Sequence, residues 1–176
     1  MKKFVLSTIT GAFVFFVWNA VSWMVLPFHS NQLNTLPESA VVALKGETNE
    51  VESGIYHYPG LQDPNLTQKI SDGPRIPFMV YVAEGTSVFD PIDFLKSMIF
   101  NLFSAGLLLF ALSKISDHSI KNVVSVCIVI ALLVGFASDL PQTSWFMFPI
   151  HYAIVNMIDY LVSFVLAGLA MRKLAL

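Results

Sequence analysis

The sequence predicts an all-α integral membrane protein: a four-transmembrane-helix bundle with a small mixed α/β extracytoplasmic cap between helices 1 and 2. Three observations carry that prediction. Of the 176 residues, 55% are hydrophobic and only 12% are charged, with a mean hydropathy of +0.67. An ordinary globular domain carries about a quarter charged residues. The apolar residues gather in four blocks, residues 4–28, 93–113, 120–138 and 150–170, each near the roughly 20 residues a helix needs to cross a bilayer. None of the blocks alternates like a half-buried strand, and in hydrocarbon only helices and closed barrels pair every backbone group.

Helix 1, residues 4–28, follows Lys2 and Lys3. Ala20 and Ser22 imitate a signal-peptide cleavage site, but the apolar run continues through Trp23-Met24-Val25-Leu26, and Trp18 and Trp23 flank the position. A retained helix is therefore expected. Residues 29–92 form the cap, short enough to fold against the helix ends. In it, Thr35-Leu36-Pro37-Glu38 has capping-box spacing with proline near the start, and Gly46 is a natural terminator, so Leu36–Lys45 reads as a short helix. Gly54–Pro59 and Pro77–Ala83, the latter closed by Glu84-Gly85, read as two strands of a small antiparallel sheet. The breakers of Pro59–Asn65 describe turns between them.

Helix 2, residues 93–113, is announced by Asp90-Pro91-Ile92-Asp93, where either aspartate suits a helix N-terminus. Lys96, one turn after Asp93, can pair with it or reach outward. A short loop, 114–119, leads to helix 3, residues 120–138. It contains Cys127, the one cysteine of the chain, so no internal disulfide can form and the thiol reads as a small packing residue. The hairpin 139–149 carries Trp145-Phe146-Met147-Phe148, an aromatic cluster suited to anchoring at a membrane surface. Helix 4, residues 150–170, ends in a tail, 171–176.

Charge gives the orientation. Lys2, Lys3, Lys114, Lys121, Arg172 and Lys173 fall on one side with the single acid Asp117. The long loop on the other side has three basic against eight acidic residues, a net −5. The basic side is expected to be cytoplasmic. This places both termini inside a cell membrane of the bacterial inner-membrane type, with 29–92 periplasmic or extracellular.

Asp159 lies near the middle of the fourth block, where a carboxylate costs several kcal/mol in hydrocarbon and by default marks an inward-facing, partnered position. Tyr152, Asn156, Asp159 and Ser163 are spaced by four, three and four, and so share one helix stripe. Ser97, Asn101 and Ser104 repeat the pattern on helix 2, and Asn19 and Ser22 contribute helix 1. The stripes are expected to converge on a polar axis centred on Asp159. There Asp159 either glues helices together by a hydrogen bond or binds a proton or ligand. No lysine or arginine is expected at that depth to pair with it. His29, His57 and His151 all belong to the outer side and are candidate metal or haem ligands, but no His-x-x-x-His, His-Glu-x-x-His or Cys-x-x-Cys spacing supports them. No cofactor is predicted.

The segment Trp18–His29 reads as a specific signature without an attached activity. Four spans with a large first loop superficially resemble the layout of the claudin-type tetraspans. The tryptophan and paired cysteines of their loop are absent here, so the resemblance implies nothing about activity or site.

No Gly-x-Ser-x-Gly elbow or phosphate-binding glycine loop is present, no internal repeat recurs, and the acidic balance argues against nucleic acid as a partner. The expected function is a small accessory, assembly or interaction subunit of a membrane complex without catalysis of its own, in contact with lipids and other membrane subunits. Two alternatives stand beside it. One is a membrane enzyme or carrier using Asp159 for proton transfer or for a lipidic or quinone-like ligand. The other is a haem or metal subunit built on the outer histidines.

Overall fold

A computed structural model of the chain describes residues 2–47, 52–84, 86–87 and 89–175. Glu50, counted in the acidic loop, Gly85, expected to close the second strand, and Leu176 of the tail lie outside the described residues. Four helical segments are long and apolar enough to cross a membrane. The first is α1, Lys2–Ala20, which runs directly into a π-helical turn, Val21–Val25. It stops where Leu26 turns extended, the conformation imposed on a residue preceding a proline, here Pro27. A single 3-10 turn, Ser30–Gln32, follows.

The cap has one helix more than expected. Helix α2 spans Glu38–Glu47 rather than Leu36–Lys45. Its first turn is closed by the Pro37 carbonyl accepting from Ala40 and Val41, and its backbone continues past Gly46. Strands β1, Gly54–Tyr58, and β2, Ile76–Tyr81, pair antiparallel with Gly54 opposite Tyr81 and Tyr56 opposite Met79, and with an irregularity between Tyr56 and Tyr58. Between them the unexpected α3, Leu66–Asp72, follows a turn in which Asp63 accepts from the Asn65 backbone and from Lys69 Nζ at 2.6 Å. Those two donors, the lysine first, hold the Asp63 carboxyl below its ordinary range.

Helix α4, Pro91–Leu112, settles the choice of cap: Asp90 Oδ1 accepts from Ile92 N at 2.8 Å, with Pro91 at the first position. Asp93 takes the other expected role and pairs with Lys96 at 2.9 Å. Helix α5, Ile120–Val134, is capped by Ser119. It passes through a second π-helical turn, Gly135–Asp139, into α6, Leu140–Trp145. The third long segment is therefore longer than 120–138, and Asp139 sits within it instead of opening the hairpin. Pro141 stands in the first turn of α6, directly after the π-helical turn. Helix α7, Ile150–Ala175, completes the bundle.

Helix α7 packs between α1 and α5, and α4 lies on the far side of α1 with little contact to α5. Arg172 donates to the His118 carbonyl, and Met171 faces Gly11. Both termini and the 113–119 turn thus share one end, called here the terminal end. The opposite cap end holds the hairpin, where Phe78 of β2 packs on Phe146 and Phe148 with ring centroids 5.2 and 5.9 Å apart.

The apolar core sits in the terminal half. Ala12, Phe15, Ala105, Leu108, Leu112, Val123, Cys127, Ala167 and Met171 are all buried there. Small residues let the backbones approach, the usual way apolar helices associate when lipid removes the hydrophobic drive. A Cβ on Gly168 would overlap Cys127 Sγ, and one on Gly11 would overlap Met171 Sδ.

Candidate functional site

The cap half holds a cavity of about 610 Å³. Helix α1 and the turn beyond it supply Asn19, Trp23 and His29, and α4 supplies Ser97. The third segment supplies Ser138, Asp139 and Gln142, and α7 supplies Tyr152, Asn156, Asp159 and Tyr160. Both π-helical turns border it: one carries Ser22 and Trp23, the other Ser138 and Asp139. Such turns insert a residue and redirect side chains that a regular helix would point elsewhere, and they concentrate at functional sites.

Two carboxylates meet in this wall with different partners. Asp159, 9% exposed, accepts from Trp18 Nε1 at 2.6 Å through Oδ1, and its Oδ2 lies 3.5 Å from His29 Nε2. The same imidazole nitrogen stands 3.2 Å from Ser22 Oγ. His29 is 1% exposed because the chain turns back after Pro27 and lays the ring against Trp23, centroids 3.8 Å apart and planes 6° from parallel. Its Nδ1 is buried without a partner. His29 Nε2 thus faces both the Ser22 hydroxyl and the Asp159 carboxylate, an imidazole and an acid side by side in one wall.

Asp139, 5% exposed, is arranged differently. Its Oδ1 accepts from Asn156 Nδ2 at 2.8 Å and faces the Tyr160 hydroxyl at 3.5 Å, while Oδ2 is buried with no partner. Among the cavity-lining residues there is no lysine or arginine.

The expected polar axis is thus partly assembled. Asp159, Asn156, Tyr152 and Asn19 line the cavity, and Ser22 meets His29 beside it. Ser163 instead returns its hydroxyl to the Tyr160 carbonyl, one turn back on its own helix. Asn101 is buried with an unpartnered Nδ2, but neither it nor Ser104 reaches the cavity lining, which α4 meets at Ser97. The sequence placed His29 on the outer side; the structure brings it beside Asp159.

The histidine trio is also separated. His57 is held in the cap with Nδ1 against the Pro59 carbonyl at 3.1 Å, and His151 is exposed at the start of α7. Among the described residues no three His, Cys, Asp or Glu side chains form a metal-sized group.

Sequence reasoning missed Trp18, Gln142 and Tyr160, and placed Asp139 in the outer hairpin. A signal existed for two of them: Trp18 lies four residues before Ser22, and Tyr160 four after Asn156, each on the polar stripe of its helix. Asp139 was hidden by ending the third span one residue too early. Comparison with protein-family models, with curated proteins and with solved structures finds no match to this chain.

Proposed function

We propose that this chain is an integral membrane protein whose cap-half cavity binds a small polar or amphiphilic ligand, with His29 and Asp159 as the proton-exchanging pair of a carrier or membrane enzyme. In this reading the four long helices lie in the bilayer, with the basic terminal end cytoplasmic and the cap outside. The observation that carries it is the His29–Asp159 pair in the wall of a polar cavity. A buried acid and base need this much support only if they are kept: apolar residues of like volume would hold four helices together as well or better. Trp18 and Trp23 fix the two groups from either side, so neither reorients when a proton moves.

The test is co-purification. Wild-type protein and Asp159→Leu, each in nanodiscs of one defined lipid, are extracted and compared by mass spectrometry with empty discs. A compound enriched with wild type and absent from the variant supports binding at this site. Identical extracts from folded wild type and folded variant, with Asp159→Asn silent in the host, would sink it.

A second reading, the accessory or assembly subunit, draws on one feature of the cap. Ile55 and Val80 stand opposite each other in the two-stranded ribbon and are both well exposed. Exposed apolar pairs of this kind suit contact with another protein. Crosslinking from position 55 to a second polypeptide in the native membrane would favour it.

A further inference from the structure

The ligand's chemistry can be read from what the cavity leaves unpaired, an inference that rests on the ligand-binding reading above. We infer that the cavity takes a primary ammonium group, held by Asp139. Three observations converge. The lining has two carboxylates, Asp139 and Asp159, against one imidazole, and no lysine or arginine. The imidazole of His29 already stands beside Asp159, which leaves Asp139 without a cationic neighbour. Oδ1 of Asp139 is occupied by the Asn156 amide, but Oδ2, in a side chain more than nine-tenths buried, has no donor. Ionised or protonated, that oxygen lacks a partner, and buried polar atoms in native structures nearly always have one.

An ammonium group fits this vacancy by charge and by geometry. It brings several N–H donors to a site rich in polar side chains: Asp139, Gln142, Tyr152 and Tyr160 all line the same cavity. Alkylammonium groups also favour aromatic faces, and two tyrosines line the cavity. A phosphate or carboxylate headgroup would meet two acids and no fixed cation. The cavity continues, through the shared residues Asn19, Trp23 and Ser97, into a groove between α1 and α4 walled by Phe16, Ala20, Met24 and Phe94. The amine can therefore be free or carried by a lipid whose chain lies in that groove.

The experiment uses full-length protein in phosphatidylcholine nanodiscs and follows tryptophan emission, since Trp23 covers His29 and Trp18 bonds Asp159. The probes are n-butylamine, 1-butanol, sodium butyrate, sodium chloride and N,N,N-trimethylbutylammonium. Saturable binding of butylamine alone is expected, with the half-saturation concentration raised roughly tenfold to hundredfold in Asp139→Asn, the loss of one charge-assisted contact. Equal responses to butanol, butyrate or sodium chloride overturn the inference, and so does an unchanged affinity in Asp139→Asn. Equal binding of the trimethyl compound overturns the donor role of the nitrogen. The wild-type series decides the matter if the variant does not fold. Repeating the titration with phosphatidylethanolamine in the discs separates the two sources: competition marks a lipid-borne amine, and no competition a free one. Binding of butyrate or butanol in place of the amine would leave the cavity a ligand site and refute only its charge preference. Identical co-purification extracts would refute the ligand site itself.

Discussion

The two halves of the bundle are made from the same four helical segments and fill the space between them in opposite ways. In the terminal half, glycine, alanine and Cys127 bring the backbones together and side chains occupy the interior. In the cap half, both α1 and α5 pass through a π-helical turn, and the interior is a polar cavity with two acids and a histidine in its wall. The terminal half does what packing alone requires. The cap half leaves a cavity and buries groups that are expensive to bury.

The largest effect should come from splitting the buried pair. Replacing His29 by leucine leaves Asp159 with only the indole donor, and should cost about 1–3 kcal/mol of stability, as removing a partner from a buried polar group does. Combining His29→Leu with Asp159→Leu should recover most of that loss, since an abandoned polar group, not a missing contact, is what destabilises. Denaturation of the three proteins in mixed micelles checks this. A double variant as unstable as the single one would mean the pair holds the fold together, removing the contrast between the halves.

Next in size is the close approach in the terminal half. Gly168→Val drives side-chain carbons into Cys127 and should cost roughly 1–3 kcal/mol. Gly106→Ala, whose new methyl would meet only Thr8 Cγ2 at 3.8 Å, should be neutral or slightly stabilising. Thermal unfolding of both in one detergent measures the difference. Equal midpoints would show that the terminal half is looser than described.

The smallest effect belongs to the cap. Asp63 is held below its ordinary value, so the unfolded chain takes up a proton there at a pH where the folded cap does not. Its contribution is complete above the ordinary carboxylate range and fades as pH falls toward the lowered folded value. Near-UV circular dichroism from neutral to strongly acid pH should show a flatter loss in Asp63→Asn than in wild type. The pair is exposed, so the gap should be slight.

The four long helices were legible because their signal is redundant: length, charge depletion and the distribution of lysines and arginines all repeat it. The Asp90 cap and the two strands were legible for a local reason, a proline after an acid and β-branched runs between breakers. The site was legible only along single helices. Periodicity placed Asp159, Asn156 and Tyr152 on one stripe, but it assumes a regular α-helix, and the π-helical turns at Val21–Val25 and Gly135–Asp139 break that assumption where the cavity forms. Bringing His29 back beneath Trp23 depends on a chain reversal after Pro27 that no helical period encodes. Asn101 shows the converse error: its spacing matches that of Ser97, yet of the two only Ser97 reaches the cavity.

The contrast between a packed half and a half built around a polar cavity is tested most directly by thiol labelling in proteoliposomes. Wild-type Cys127, buried in the terminal half, should stay unreactive toward a water-soluble maleimide until the protein is unfolded. In a Cys127→Ala background, cysteines at Gln142 and Asn156 should react readily, while cysteines at Ala105 and Ala167 should not. Unreactive thiols at both cavity positions, or labelling at Ala105 and Ala167 as fast as at Gln142, would contradict a water-accessible cavity confined to the cap half.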